Sequence, residues 1–510
     1  MKSYLNLLLL ISTFQFAQNI ELDTSFGQNG YFTTTTISQI TKMLILNDNS
    51  TINVGYKIQS SGVSVTQLCL FKATEAGIID LTFGINGFVN ATIEDYSMPT
   101  DALMLPNNKI LVSGYCKTID ENKTTLQKGI FVQYNSDGSL DTSFSDDGIL
   151  KIDLANTFPN GSINSIAITS DNKIVALGTA NGTGSFLLKY NSNGILDTTF
   201  GTNGMVYFNF NSVNYNCQYI TSLYDDSILC GGSALNSINP KTSIIKFDSV
   251  GQLDVSFGDF GIVTIDTYNN IIPEFNALPE YCTKLIIQDD LKILIKGVSG
   301  TNNNLFRLLP NGTIDANFGT NGFVNFLLFL SNISIQTDAK IILSGSIMFG
   351  GGDNGFSFSR YNQDGTIDTT FNSNGIFNIN PTTNQDYLDN SNLLNDGNLI
   401  GAGVFSDSFG SQVFITKYLI NKNLSETSIK QNTFTISPNP TTSYITINFG
   451  SSKQKKNITL QNALGQIVSS KNFTNIEAVN YPIEGENGIY FLSLENENGE
   501  KQTHKIIKNK

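Results

Sequence analysis

A phrase of nine residues, first met as Leu22-Asp23-Thr24-Ser25-Phe26-Gly27-Gln28-Asn29-Gly30, returns in variant form until the chain holds seven copies. The others start at Ile79-Asp80, Leu140-Asp141, Leu196-Asp197, Leu253-Asp254, Ile314-Asp315 and Ile367-Asp368, and each closes on a glycine. Successive aspartates are 57, 61, 56, 57, 61 and 53 residues apart. A repeat of this length is one supersecondary unit, too small to bury its own apolar face, so units must stack.

The unit from Asp197 to Asp254 shows what is stacked. Met205-Val206-Tyr207-Phe208, Tyr219 to Leu223, Ser227 to Cys230 (ended by Gly231-Gly232) and Ser243 to Phe247 read as four strands. Each is bounded by Asp, Asn or Gly turn chemistry. Several equivalents, such as Ile174-Val175-Ala176-Leu177 and Phe186-Leu187-Leu188, are nearly continuous apolar runs, which suits sheets covered on both faces. Four-stranded units repeated seven times about an axis make an all-β, seven-bladed β-propeller. The second of the four strands is expected to be innermost. The stretch Gly30 to Thr34 then lacks its own earlier strands, while the last unit, ending at Tyr418, lacks an outer one. The N-terminal strand is expected to complete the last blade and so remove exposed sheet edges.

The repeated residues themselves, Asp23, Phe26, Asp80, Phe83, Asp141, Phe144, Asp197, Phe200, Asp254, Phe257, Asp315, Phe318, Asp368 and Phe371, read as structural. Asp can accept backbone N–H bonds in the turn, and the Phe can wedge between blades. A unique site needs one copy, not seven. The rival reading is calcium, because Asn135 to Asp141 is rich in oxygen donors. Asn193 and Val250 stand where Asp137 does in other units, and calcium wants six or more oxygens. No cofactor is expected.

The chain has 510 residues and a net charge of −13, with charged residues only 14% of the total. An acidic chain without basic clusters repels phosphate backbones, so nucleic acid is not expected as a partner. The N-terminal segment, Met1-Lys2 and then an apolar run through Ile11 to Phe14, reads as a signal peptide with cleavage expected after Ala17. The alternative is a buried N-terminal strand. No other run reaches the ~20 apolar residues of a membrane helix. Cys69, Cys116, Cys217, Cys230 and Cys282 form no close pair. Cys217 and Cys282 could meet across adjacent units; the plainer reading is buried small apolar side chains.

From Ser425 onward the charge changes character, with nine Lys, seven Glu and no Asp. That shift marks a domain boundary. The expected organisation is a signal peptide at 1–17, the propeller at 18–420, a linker at 421–432 and a small β-sandwich at 433–510. The last segment carries Ser437-Pro438-Asn439-Pro440, the turn Ala463-Leu464-Gly465-Gln466, Gly488-Ile489-Tyr490-Phe491 and a basic end with Lys505 and Lys508. These motifs resemble the type A sorting domain of the type IX secretion system. The resemblance implies export across the outer membrane by that machinery, and release or surface attachment. The seven-copy region resembles the delta-60 repeat family, with Ser145 and Asn372 departing from its usual Gly. Residues 20–420 fall within that resemblance.

Catalytic groups are scarce. His504 is the single histidine, and there is no Trp, so no Ser–His or Cys–His arrangement exists in the repeats. Arg307 and Arg360 are the only arginines, too few for a three-arginine site. Glu75, Glu94, Glu121, Glu274 and Glu280 remain for a carboxylate-only hydrolase or lyase, but read as solvated loop charges. The favoured function is binding or adhesion, by a monomer, to a protein or glycan. The candidate surface is the set of loops opposite the constant turns: Gly114 to Gly129 with Tyr115 and Lys117, and Thr267 to Tyr281 with Phe275 and Tyr281.

Overall fold

The computed structural model divides the chain into two compact units, Met1–Lys422 and Asn423–Lys510. It describes residues 18–509 apart from 62, 120–124, 155–160, 181–183, 211, 236–239, 266–279, 300–301, 327–328, 350–352, 383–384, 408–409, 421–434, 450–455, 464–465, 475 and 497–500. The expected signal peptide and linker thus lie outside the described residues.

The first unit is a propeller of seven four-stranded antiparallel blades. Blade 1 runs Gln39–Ile45, Thr51–Ser61, Val63–Ala73 and Phe88–Ala91. Blade 2 begins with the inner strand Tyr96–Met104, blade 3 with Ser162–Ile168, blade 4 with Val213–Ser222, blade 5 with Glu280–Ile287, blade 6 with Phe329–Ile335 and blade 7 with Gln385–Leu393. These inner strands contact one another in order, and that of blade 7 contacts that of blade 1, so the ring closes. A single parallel pairing of Asn354 with Gln385 joins blades 6 and 7 into one hydrogen-bonded sheet. Blade 7 takes its outer strand from the N-terminus, as the sequence predicts: Tyr31–Thr34 pairs with Val413 to Thr416, and Ile20–Leu22 with Tyr418 to Ile420.

The apolar runs have a simple use. Successive strand residues point to opposite faces of a blade, and both faces are covered. Ile110 and Val112 pack toward blade 1, whereas Leu111 between them packs with Phe131 and Ile163 toward blade 3. One apolar cluster fills each of the seven interfaces; the last, with Ile40, Phe71, Ile400 and Ile415, joins blade 7 to blade 1.

Two local readings change. Gly231 and Gly232 do not end a strand; they lie within Ile228–Ala234. A side chain at Gly232 would meet the Asn216 carbonyl at 2.0 Å, so the glycine lets the inner strand approach closely. The described residues of the excursion from Gly114 to Gly129 are strand, not loop. Its strands Ile110–Ile119 and Thr125–Tyr134 stay paired out to Ile119 and Thr125, making a long hairpin.

The second unit is a β-sandwich. A three-stranded sheet, Thr435–Ser437, Tyr444–Asn448 and Ala478–Pro482, packs with a four-stranded one, Ile467–Phe473, Lys456–Asn462, Gly488–Asn496 and Lys501–Lys508. Ile445, Ile447, Leu460, Tyr481, Leu492 and Ile506 form its core.

Candidate functional site

The propeller has two unlike faces. In each blade the turn after the inner strand and the turn carrying the repeated Asp lie on the same side. Lys109 of the former turn reaches Asp141 of the latter at 2.6 Å. This face is one structural device built seven times. One oxygen of each aspartate accepts the backbone N–H two residues on, at 3.1–3.2 Å. In six copies, all but Asp315, it also accepts the Ser or Thr hydroxyl there. The other oxygen faces a cation: Lys72 for Asp80, Lys109 for Asp141, Lys173 for Asp197, Lys246 for Asp254, Arg307 for Asp315, Arg360 for Asp368. Lys417 stands 3.8 Å from Asp23.

The same turns tie neighbouring blades. Gly84 N–H donates to the Asp137 carbonyl of the next blade at 2.7 Å, and Gly201, Gly258 and Gly319 make the equivalent bond. Asn372 N–H closes the series on the Gln18 carbonyl at 2.8 Å. Phe26, Phe83, Phe144, Phe200, Phe257, Phe318 and Phe371 are all buried. Ser145 and Asn372, standing where glycine is usual, take the same left-handed conformation (φ 47° each). Arg307 and Arg360 stack on Phe318 and Phe371 at 4.5 and 4.8 Å, so both guanidinium groups are spent on this face.

The opposite end is where the blades differ. Every inner strand carries a β-bulge four residues before its end, between Ile40 and Lys42, Pro99 and Asp101, Ile163 and Ser165, Cys217 and Tyr219, Cys282 and Lys284, Phe329 and Asn332, Leu388 and Asn390. A bulge re-aims side chains. Here it turns residues from all seven blades into one central cavity of about 270 Å³. Its lining includes Lys42, Asp101, Tyr219, Lys284, Asp389 and Asn390.

The charges in this cavity are unequal in their company. Asp101 is saturated: it pairs with Lys42 at 2.6 Å and accepts from Ser165 Oγ at 2.8 Å and from the N–H groups of Ala102 and Ile166. Asp389 is the reverse. Its Oδ2 is buried without a hydrogen-bond partner among the described residues, and burial pushes its carboxyl up to about 6 against the opposing bond from Gln39. Tyr56 donates to Gln39 Oε1 at 2.5 Å, which leaves the Gln39 amide N–H₂ for Asp389. Lys284 is hemmed in by protein and stands over the Tyr219 ring at 5.5 Å; burial, with Lys42 nearby, brings its ammonium down to about 8.

Of the candidate binding residues, Tyr115, Lys117 and Tyr281 lie on strands just beyond the bulges. Tyr115 lies in the second strand of blade 2 and stacks on Tyr96 at 6.0 Å, with the Lys117 ammonium 5.3 Å from both rings. Tyr281 belongs to the inner strand of blade 5, one residue before Cys282, and is 43% exposed. Phe275, Glu121 and Glu274 lie outside the described residues. Glu75 is exposed and accepts from Asn49, and Glu94 pairs with Lys151. Glu280 corrects its reading as a solvated charge: it is 2% exposed, at the start of the blade 5 inner strand. All five cysteines are buried free thiols. Among the described residues no group of three or more His, Cys, Asp or Glu converges as a metal site.

Asp101, Lys284 and Asp389 escaped sequence reasoning. The signal was the glycine in each second strand. Gly55, Gly114, Gly178, Gly232, Gly297 and Gly403 each pair with the residue just before a bulge, and thereby mark where the inner strand buckles.

In the second unit the Asn439 side chain locks onto the last strand, donating to the Lys505 carbonyl and accepting from Ile507 N–H, both at 2.8 Å. Pro438 and Pro440 flank it on an exposed corner, and Lys508 reaches the Gly485 carbonyl near Gly488. Gly465 lies outside the described residues.

Residues 435–509 match the model of the secretion system C-terminal sorting domain. Residues 105–144, 169–200, 288–318 and 336–371 match a β-propeller domain of unknown function. The chain is therefore a β-propeller of this repeat type joined to a type IX secretion sorting domain. It is exported by that machinery to the cell surface or beyond. No curated protein matches the chain. Among solved structures it is similar to an ulvan lyase of a new polysaccharide lyase family, at 10% identity and TM-score 0.43, over 79% of this chain and 96% of that one. It is also similar to the first two extracellular domains of Drosophila Semaphorin 1a, at 9% identity and TM-score 0.39, over 81% and 91%. A putative exo-β-1,3-galactanase from Bifidobacterium bifidum follows at 10% and 0.28, over 57% and 92%. These likenesses are too distant to bear on function.

Removal of residues 425–510 is expected to trap the propeller in the periplasm. Fractionation with an antibody against the propeller checks this, and undiminished protein in the medium would refute it.

Proposed function

We propose that this protein is an exported binding module whose ligand, a glycan, is taken at the variable mouth of the propeller's central cavity. One observation carries the reading. Seven blades differ in the side chains their bulges send into a single cavity, while the opposite face spends its polar groups on seven copies of one turn. A concave site with a few convergent polar groups is the usual form of a ligand site. The Tyr96–Tyr115 stack with Lys117 supplies an aromatic and cationic rim.

A second reading, a carboxylate-based polysaccharide hydrolase or lyase, draws on Asp101 and Asp389 lining the same cavity. Hydrolysis by two carboxylates needs both available to substrate and water. Asp101 is already bonded by a lysine, a hydroxyl and two backbone N–H groups, which favours binding. A glycan array run beside an activity screen on polysaccharides decides between them. Array binding without turnover is the expected result. Turnover that disappears in Asp389→Asn would overturn the binding reading.

A further inference from the structure

Of the four charged side chains lining the cavity, Lys42 and Asp101 answer each other, while Lys284 and Asp389 make no ion pair among the described residues. Lys42 and Lys296 both lie close enough to Lys284 to act on its ammonium, and Asp101 acts against them. Lys296, directly opposite Lys284 in the blade 5 pairing, is buried, and Lys284 is half-buried at the cavity wall. Neither Lys284 nor Lys296 has a carboxylate or carbonyl partner among the described residues. Buried cations without a partner are costly, and an anion supplied from outside offsets that cost. Asp389, also lining the cavity, leaves one buried oxygen without a donor, so the second requirement on an occupant is an O–H or N–H group. The volume, about 270 Å³, falls just short of the roughly 300–1,000 Å³ of sites for drug-sized molecules. It suits a single sugar ring.

We propose that the central cavity binds the acidic residue of a glycan, an oxyanion on a sugar ring, with Lys284 holding the anion, Lys42 reinforcing it, and Asp389 accepting a ring hydroxyl. This rests on the binding-module reading and names its ligand class. Carboxylate and sulfate ester share the required chemistry. Lys284 faces Tyr219 from blade 4, Lys42 from blade 1, Asp101 from blade 2 and Lys296 within blade 5. Its ammonium, near 8, is charged at neutral pH and lost above that; the Asp389 carboxylate, near 6, is formed at neutral pH and lost below that. Affinity is therefore greatest between the two values and falls on either side.

Calorimetry on the purified protein at neutral pH with glucuronate, glucose 6-sulfate and glucose tests this. Either acid is expected to bind, and the stronger of the two identifies the oxyanion; glucose is expected to be silent. Lys284→Met and Asp389→Asn should each weaken the acid by at least about tenfold, the loss of one bond to a charged group. The pH profile of the unaltered protein gives the same test without relying on a variant's folding. Glucose bound as well as glucuronate, or affinity flat from pH 6 to above 8, would overturn the proposal. If all three sugars are silent while the array shows neutral glycans bound, the ligand class is wrong and the binding module stands. Silence in both removes both readings.

Discussion

Deletion of residues 18–34 is expected to collapse the propeller's thermal stability and leave a self-associating species. The deleted segment supplies the whole outer strand of blade 7. Without it, the strand Gly410–Ile420 becomes an open edge with unpaired backbone groups. Ile20 and Phe26, 3% and 2% exposed, are lost from two inter-blade clusters, at about 1.5–3 kcal/mol each. Tyr31 no longer packs edge-on to Phe405 and Phe414. The link from Asn372 to Gln18, which closes the ring of turns, also goes. Together these losses are comparable with the roughly 5–15 kcal/mol that holds an ordinary domain folded. Calorimetry and size-exclusion chromatography check the outcome. A synthetic peptide of residues 18–36 should restore the melting transition, since the gap it fills is a strand with defined partners. A deleted chain that stays monomeric and melts at the parent temperature would refute ring closure by this segment.

How much of this was open to sequence reasoning follows from what repeats. A feature needed by every blade is written seven times, so the blade count, the inner strand and the N-terminal closure could be read from spacing. The turn ion pairs were equally visible and were missed. A residue eight positions before the aspartate supplies the cation at Lys72, Lys246, Arg307 and Arg360; Lys189 and Gln133 hold that place in two other blades, where Lys173 and Lys109 pair with the aspartate instead. Lys417 stands at that place in blade 7, and its aspartate is Asp23, almost 400 residues earlier. The cavity was hidden for the opposite reason. Asp101, Lys284 and Asp389 occur once each, on strands whose alternation is broken by the bulge that aims them. Tyr115 and Lys117 read as loop because beyond Cys116 the hairpin is polar and half-exposed, with no apolar run to mark it as strand.

Asp368→Ala is expected to be the most damaging of the single turn substitutions, at about 3–5 kcal/mol, because it strands two cations. Arg360 is wholly buried and bonds Asp368 at 2.7 Å, and Lys340 bonds the same oxygen at 2.8 Å. Asp197→Ala, which releases only the more exposed Lys173, should cost about 1.5–3 kcal/mol. Asp23→Ala should cost least, since Lys417 is already 3.8 Å away. The acid limb of stability has the same origin. Burial acts to raise the Asp368 carboxyl, but the bonds from Lys340 and Thr370 and the charge of Arg360 outweigh it and hold the group at about 2. The bonds from Lys72 and Thr82 hold Asp80, and those from Thr199 and Lys173 hold Asp197, at about 2 as well. In the unfolded chain these groups titrate near 3.9. A folded value below the unfolded one means the contribution is whole above about pH 4 and drains away as pH falls toward 2. Asp368→Ala should therefore lower the urea midpoint at pH 7 and flatten its decline between pH 4 and 2. EDTA should move neither variant nor parent. Equal losses for Asp368→Ala and Asp23→Ala would show that the turn bonds, not the cations, set the stability. A fall of many degrees in the parent on adding EDTA would put a metal ion where the lysines and arginines now stand.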